Sequence, residues 1–403
     1  MSIEELSGVP AECPVVEFDI AKNRPVMGYL TELDALREES PAYWNTFGQG
    51  FWMLTRFSDI REAHQKSDIF SSRSIIVTDP DPQYKWIPTL TDGPDHVKYR
   101  QILNSYFSPN AVKSLEDVNR GWANQVIDEL IDKGSCNMAT EFAGEFPTRA
   151  FLSLAGLPQE DASRFVTWVT AIFSQMSNPD DHSAQLEAAT AIREYFIEFI
   201  ADRRVNPRDP KKDIVSHLLA AEFHGEPLDE ETLLNICGVL ILAGLDTMKC
   251  QLGYSFYHFA THPEDRQRIL DDPSLIPSAV EEILRFYAIV TPGRKLNEDY
   301  EIAGCPMKKD QMVWLDLGQA CRDPRVFPDA DKFIIDRENN KHVAFAAGPH
   351  RCLGSHLARQ ELQIALEEWH KRIPNYVVDT DEPITEHGGQ LGINSLPLRW
   401  VNL

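Results

Sequence analysis

The sequence predicts a mainly α-helical fold with small β-sheets, organised as one continuous domain over residues 1–403. Three observations carry this reading. The segment Leu233 to Ala260 is longer and more apolar than an ordinary surface helix. A second segment places Ala358, Leu362, Ala365 and Trp369 on one helical face. No low-complexity linker, repeat period or block of like charges divides the chain.

Composition narrows the function. With 403 residues, 43% of them hydrophobic, the chain can bury a substantial core. A net charge of −23 argues against a general nucleic-acid binder, because neutralising phosphates needs a surplus of Lys and Arg. The seven cysteines (Cys13, Cys136, Cys237, Cys250, Cys305, Cys321 and Cys352) include no CxxC pair and are odd in number. Isolated thiols in a reducing compartment fit that pattern better than disulfides or a zinc site. The first residues, MSIEELSGVPAECPVVEFD, are acidic and lack the basic flank and apolar run of a signal peptide or membrane anchor. A cytoplasmic protein is therefore expected.

Taken in order, Ala42 to Trp44 and Phe51 to Thr55 are aromatic-rich runs separated by Gly48 and Gly50, the pattern of a β-hairpin. Ser58 is expected to cap a helix beginning near Asp59. Ser108 and Pro109 supply a cap and a first-turn proline for one helix carrying Val112, Leu115, Val118, Trp122, Val126 and Leu130 at helical spacing. The segment from Leu233 contains Asn235, Asp246, Thr247 and Lys249, so it reads as a long central helix of a helical domain, not as a membrane span. Beyond Gly304, glycines and prolines break the chain into short pieces until the helix that follows Cys352.

That cysteine ends the most informative stretch, Phe345-Ala346-Ala347-Gly348-Pro349-His350-Arg351-Cys352-Leu353-Gly354. A cysteine just before a helix meets unpaired backbone N–H groups and the positive end of the dipole, which stabilise thiolate, the form that ligates iron. An isolated cysteine is more often a small buried hydrophobe. Here the decapeptide closely resembles the cysteine loop of the cytochrome P-450 family. It departs at Ala346, where the family usually has glycine. The resemblance implies a cytochrome P-450 fold, a single large triangular-prism-like domain. It also implies haem b (iron protoporphyrin IX) with Cys352 as axial ligand, and Phe345 and Gly244 among the haem contacts. A thiolate ligand pushes electron density onto iron and favours O–O cleavage.

Within the long apolar segment lies Ala243-Gly244-Leu245-Asp246-Thr247. Glycine inside a helix costs roughly 1 kcal/mol relative to alanine, so Gly244 points to a close approach or a distorted turn. A threonine hydroxyl can bond the carbonyl one turn back, and the neighbouring carboxylate can exchange protons. A kink with Asp246 paired to a remote cation explains the pair as well. By resemblance these residues form the family's oxygen-activation groove, Thr247 hydrogen-bonding the oxygen ligand and Asp246 relaying protons. Met248 stands where the family commonly has another small hydroxyl residue.

Glu282 and Arg285 fall on one helix face, and Arg337 lies in Phe333-Ile334-Ile335-Asp336-Arg337. In the family the corresponding three residues form a structural triad that shapes the cysteine loop. The resemblance also assigns His96 and Arg100 (an HxxxR pair), Arg294 and His350 to the haem propionates. Arginine suits bidentate carboxylate binding. The likeness runs to Ser395-Leu396-Pro397-Leu398. More loosely, Trp86-Ile87-Pro88-Thr89, Ala155-Gly156-Leu157-Pro158 and Cys237-Gly238 resemble the bacterial camphor-hydroxylase branch.

The resemblance implies a mostly apolar substrate pocket over the haem, contributed by Tyr84, Trp86, Val239, Leu242, Ala243, Val290 and Leu391. Phe165, Trp168, Ile172, Phe173 and Met176 fall in the family's lid region, although core packing explains them nearly as well. The expected reaction inserts one oxygen atom from O2 into a small hydrophobic substrate, a terpenoid or aromatic. Electrons are expected from an acidic iron–sulfur ferredoxin with its reductase, steered by Lys98, Arg100 and Arg351. A monomer is expected, with no nucleic acid and no membrane anchor. The alternatives are a haem-thiolate ligand sensor and a family member performing desaturation, coupling or peroxide-driven oxidation.

Overall fold

The computed structural model describes residues 9–10, 13–174 and 183–400. The chain folds as two compact units, the first comprising Met1–Val97, Glu281–Cys352 and Glu386–Leu391. The second comprises Lys98–Val280, Leu353–Thr385 and Gly392–Leu403.

The first unit is built on a six-stranded mixed sheet. Its strands run in the order Val15–Val16, Ala42–Asn45, Phe51–Leu54, Met312–Leu315, Gly293–Leu296 and Phe70–Ser71. The expected hairpin is its second and third strands, paired antiparallel with Trp44 opposite Trp52. Five of the strands are buried along their whole length, so they read as largely apolar or aromatic runs without alternation. The polar exceptions are Asn45, Ser71, Arg294 and Lys295, the last two being adjacent cations inside one buried strand.

The second unit is helical. Its axis is the helix Glu230–Thr261, 32 residues long, whose N-cap Asp229 accepts a hydrogen bond from the Thr232 amide at 2.7 Å. The helix is long and apolar enough to cross a bilayer, yet 61% of its most apolar window is buried inside the protein. Packing explains its composition. Against it pack the helices Glu145–Ala155, Ala162–Ser174 and Ser183–Val205, while Glu116–Ile131 packs on Glu145–Ala155 and on Ser355–Arg372. Phe142, Phe256, Trp369 and Tyr376 form an aromatic cluster with ring centroids 5.1–6.3 Å apart.

Two local expectations are corrected. Ser58 is not a cap: the helix runs Phe57–Gln65 from Arg56, and the Ser58 hydroxyl donates to Asp59 within it. The helix after Ser108 is two helices, Pro109–Lys113 and Glu116–Ile131. Ser108 does cap the first, accepting from the Ala111 amide at 3.3 Å. The break after Lys113 resets the phase, so Val118 is exposed while Asn119, Ala123 and Ile127 are buried.

His370 lies at the centre of the second unit's packing. Its Nδ1–H donates to the Leu366 carbonyl at 2.8 Å, and its Nε2 accepts from the Tyr376 hydroxyl at 2.9 Å. Burial lowers its pKa to about 4, with the Leu366 bond raising it and Arg266 lowering it. Protonation is thus easier in the unfolded chain, so stability falls as pH drops from 6.5 toward about 4. We predict that urea unfolding will show His370→Gln losing ~2 kcal/mol less than the native chain between about pH 6.5 and pH 5. Equal losses would remove His370 as the cause.

Candidate active site

The loop after Val343 is a tight return in which the Cys352 amide donates to the Phe345 carbonyl at 2.9 Å and the Ala346 amide to Val343 at 2.7 Å. Ala346 has φ 59° and Gly348 φ 69°, both left-handed. The position where the family usually has glycine keeps a left-handed backbone here, at a strain of about 1–2 kcal/mol for a residue with a Cβ. At Gly348 no substitute fits, because an added Cβ would lie 2.3 Å from the His64 carbonyl oxygen. Cys352 is the one exposed cysteine of the seven, and the other six are buried. Burial pushes the thiols of Cys136, Cys237 and Cys321 up to about 12, which leaves them inert as ligands at neutral pH.

The stretch preceding this loop is held by a buried ionic network. Arg285 donates to both carboxylate oxygens of Glu282 at 2.9 and 2.7 Å, and Arg337 Nε lies 3.1 and 3.0 Å from the same pair. Asn340 Nδ2 and the Ile334 amide also donate to Glu282. The remaining guanidinium hydrogens reach the carbonyls of Cys321, Pro328, Asp329, Ala330 and Lys332. Glu282 and Arg285 are wholly buried, so removing either would strand an uncompensated charge at a cost of about 3–5 kcal/mol. The network ties the helix Ile276–Phe286 to residues 321–340 ahead of the cysteine loop.

Beside that loop, His350 stacks on His96 with centroids 4.0 Å apart, and its Nε2 meets Asp92 Oδ1 at 2.9 Å. Asp92 Oδ2 accepts from the Ser71 hydroxyl at 2.5 Å and the Ser72 amide at 3.0 Å. Burial raises the Asp92 pKa, but hydrogen bonds from His350 and Ser71 outweigh it and hold the carboxyl below its ordinary value. Arg294 is fully buried. It donates to the Gly293 carbonyl at 2.7 Å and to His64 Nδ1 at 3.3 Å. Burial brings its pKa down to about 10, with Asp92 opposing. Among the described residues no carboxylate pairs with it. Arg100, half-buried, stands one turn from His96 on the helix Gly93–Phe107. Asp92 and His64 were not singled out in the sequence, where neither carries a local motif.

In the second unit, the helix Glu230–Thr261 is regular through Ala243–Thr247. Gly244 marks a close approach, not a distorted turn: a Cβ there would lie 2.7 Å from the Phe151 ring. The Thr247 hydroxyl donates to the Ala243 carbonyl at 2.7 Å. Asp246 is buried, and Cys250 Sγ lies 3.9 Å from its Oδ2. Ala243 is exposed midway along a helix whose neighbours Ile241, Leu242 and Leu245 are buried.

Of the other expected pocket residues, Val239 and Leu242 are buried on that helix. In the first unit Val290 is half-buried, and Leu391 is buried with its amide on the Ile289 carbonyl at 3.0 Å. Tyr84 and Trp86 are half-buried, their rings tilted by 31° with centroids 4.5 Å apart. Burial, and the Asp79 carboxylate against its hydroxyl, raise the Tyr84 pKa. In the lid region Phe165 and Ile172 are buried, Trp168 and Phe173 half-buried, and Met176 lies outside the described residues.

An accessible thiol on a strained loop and a buried guanidinium without a carboxylate suit an anionic, iron-bearing cofactor. Comparisons with known proteins agree. A cytochrome P450 family profile matches residues 41–373. A probable cytochrome P450 127A1 of Sinorhizobium fredii is 33% identical over 88% of this chain and 84% of its own. Mycinamicin IV hydroxylase/epoxidase of Micromonospora griseorubida is 31% identical, over 93% and 90%. The crystal structure of cytochrome P450 CYP101C1 superposes with a TM-score of 0.88 at 28% identity, covering 98% of this chain and 100% of that one. The chain therefore belongs to the cytochrome P450 family, as a haem b-dependent monooxygenase that uses O2 and a redox partner.

Proposed function

We propose that this enzyme inserts one oxygen atom into a small hydrophobic substrate, a terpenoid or aromatic, with Cys352 as the axial thiolate and a ferredoxin as electron donor in the cytoplasm. The observation that carries the assignment of the ligand is the exposure of Cys352, the single accessible thiol, on a loop whose backbone is fixed by hydrogen bonds. Haem b, when bound, supplies the iron centre at which dioxygen is activated. Arg294, His350, His96 and Arg100 provide donors and positive charge for its two propionates, and the stacked imidazoles present one flat edge. Phe345 and Gly244 are read as packing contacts to the macrocycle.

Thr247 and Asp246 divide the proton work. The Thr247 proton rests on the Ala243 carbonyl, which leaves Oγ1 free to accept a hydrogen bond from a reacting group. Asp246, one residue away and buried, places beside it a carboxyl able to exchange protons. A haem-thiolate sensor would have no use for such an acid–alcohol pair, so turnover is the better reading.

Substrate size is argued from Val239, Leu242, Ala243, Val290 and Leu391, which are short and apolar. Tyr84 offers its ring, packed against Trp86, because its hydroxyl already faces Asp79. The named relatives include a methyl-branched lipid omega-hydroxylase of Mycobacterium tuberculosis, 31% identical, so family membership alone does not select the substrate. For electron delivery, exposed Arg351 offers positive charge to an acidic ferredoxin, while Lys98 is engaged with His224 at 2.6 Å.

Three outcomes are expected. The reduced carbon monoxide complex will show the thiolate-type Soret band, and Cys352→Ser will lose it; a retained band moves the ligand elsewhere. In Thr247→Ala, peroxide release per electron consumed will rise several-fold; unchanged coupling removes the assigned role. Optical titration will give a Soret shift with monoterpenoids or small aromatics, and a response confined to steroids or long-chain fatty acids would overturn the small pocket.

A further inference from the structure

The strand Gly293–Leu296 buries two adjacent cations, whose side chains leave on opposite faces. Lys295 is neutralised by Asp81 at 2.5 Å. Arg294 is not. Its charge is buried with a backbone carbonyl and one imidazole as its hydrogen-bonding neighbours, a situation costing several kcal/mol unless an anion joins them. Asp92 is near enough to be felt, but His350, Ser71 and Ser72 already occupy its oxygens.

The imidazole belongs to His64, at the end of the helix Phe57–Gln65 and 1% exposed. A guanidinium has donors and no acceptor, so the Arg294 N–H can only donate to a bare lone pair on His64 Nδ1. His64 is therefore the neutral tautomer with its proton on Nε2. Burial first, then the nearby charges of Arg294 and His350, keep its pKa well below the ordinary value. Its Nε2 has no hydrogen-bond partner among the described residues. The backbone at His64 is equally committed, since Gly348 of the cysteine loop packs against its carbonyl.

From this geometry we infer that His64 is a positioning residue for the cofactor. It fixes the Arg294 fork by accepting one N–H, so that the remaining donors are aimed at a haem propionate. The role needs a neutral acceptor at the Nδ1 position and nothing else of histidine. A second cation there would repel Arg294, and an aliphatic side chain would release it. The inference rests on the haem-thiolate reading above, and no sequence motif announces it, because His64 and Arg294 are 230 positions apart.

The test is the rate of haem transfer from the holoprotein to excess apomyoglobin. His64→Leu, which keeps volume and removes the acceptor, should lose haem about tenfold faster, the effect of one hydrogen bond to a charged group. His64→Asn, whose Oδ1 stands near the Nδ1 position, should stay within about twofold of the native rate. In an Arg294→Leu background, His64→Leu should add nothing further, because its effect runs through the missing guanidinium. A native rate for His64→Leu, equal losses for Leu and Asn, or additive losses in the double variant would each overturn the assignment. The native carbon monoxide spectrum keeps the two readings apart: a thiolate-type band with a flat His64 series sinks this inference alone, and its absence sinks the haem-thiolate reading.

Discussion

The first unit depends on one constraint: the chain from Val343 to Cys352 has to return on itself without regular structure and still present a thiol in a fixed place. Backbone hydrogen bonds close the return, from Cys352 to Phe345 and from Ala346 to Val343. Left-handed residues at 346 and 348 make the turn, and the His64 carbonyl leaves no room for a side chain at Gly348. The Glu282–Arg285–Arg337 network does the corresponding work for the segment before it. Its members satisfy one another and at least four backbone carbonyls, so buried charge becomes a structural clamp.

Charge is handled differently where the cofactor is expected. Glu282 has its two arginines, Lys295 has Asp81, and Arg203 has Asp213 at 2.8 Å. Arg294 stands apart, buried and flanked by a neutral imidazole. Among the described residues Arg294 meets no carboxylate, a situation that a carboxylate supplied from outside the chain would relieve. Haem b carries two such carboxylates, so the electrostatics and the family assignment agree without either being derived from the other.

Much of this was legible in the sequence, and the exceptions have physical causes. The hairpin and the long central helix follow from local pattern, and a glycine inside an apolar helix signals the close approach found at Gly244. Local pattern misplaced the cap at Ser58, because a hydroxyl before an apolar run is also compatible with a position inside the first turn. It also merged two helices across Ser114, where both halves have good helical spacing and only tertiary packing sets their separate phases. In the site, the motif residues His350, Arg294 and Cys352 were visible because each sits in a recognisable string. His64 and Asp92 were not, since their significance lies in partners 230 and 258 positions away along the chain.

The most direct test of the account is iron K-edge X-ray absorption on the purified holoprotein and on Cys352→Ala reconstituted with haem. The account predicts a sulfur scatterer in the first coordination shell of the native protein and only nitrogen or oxygen in the variant. A native spectrum without sulfur, or sulfur that persists in the variant, would contradict Cys352 as the axial ligand.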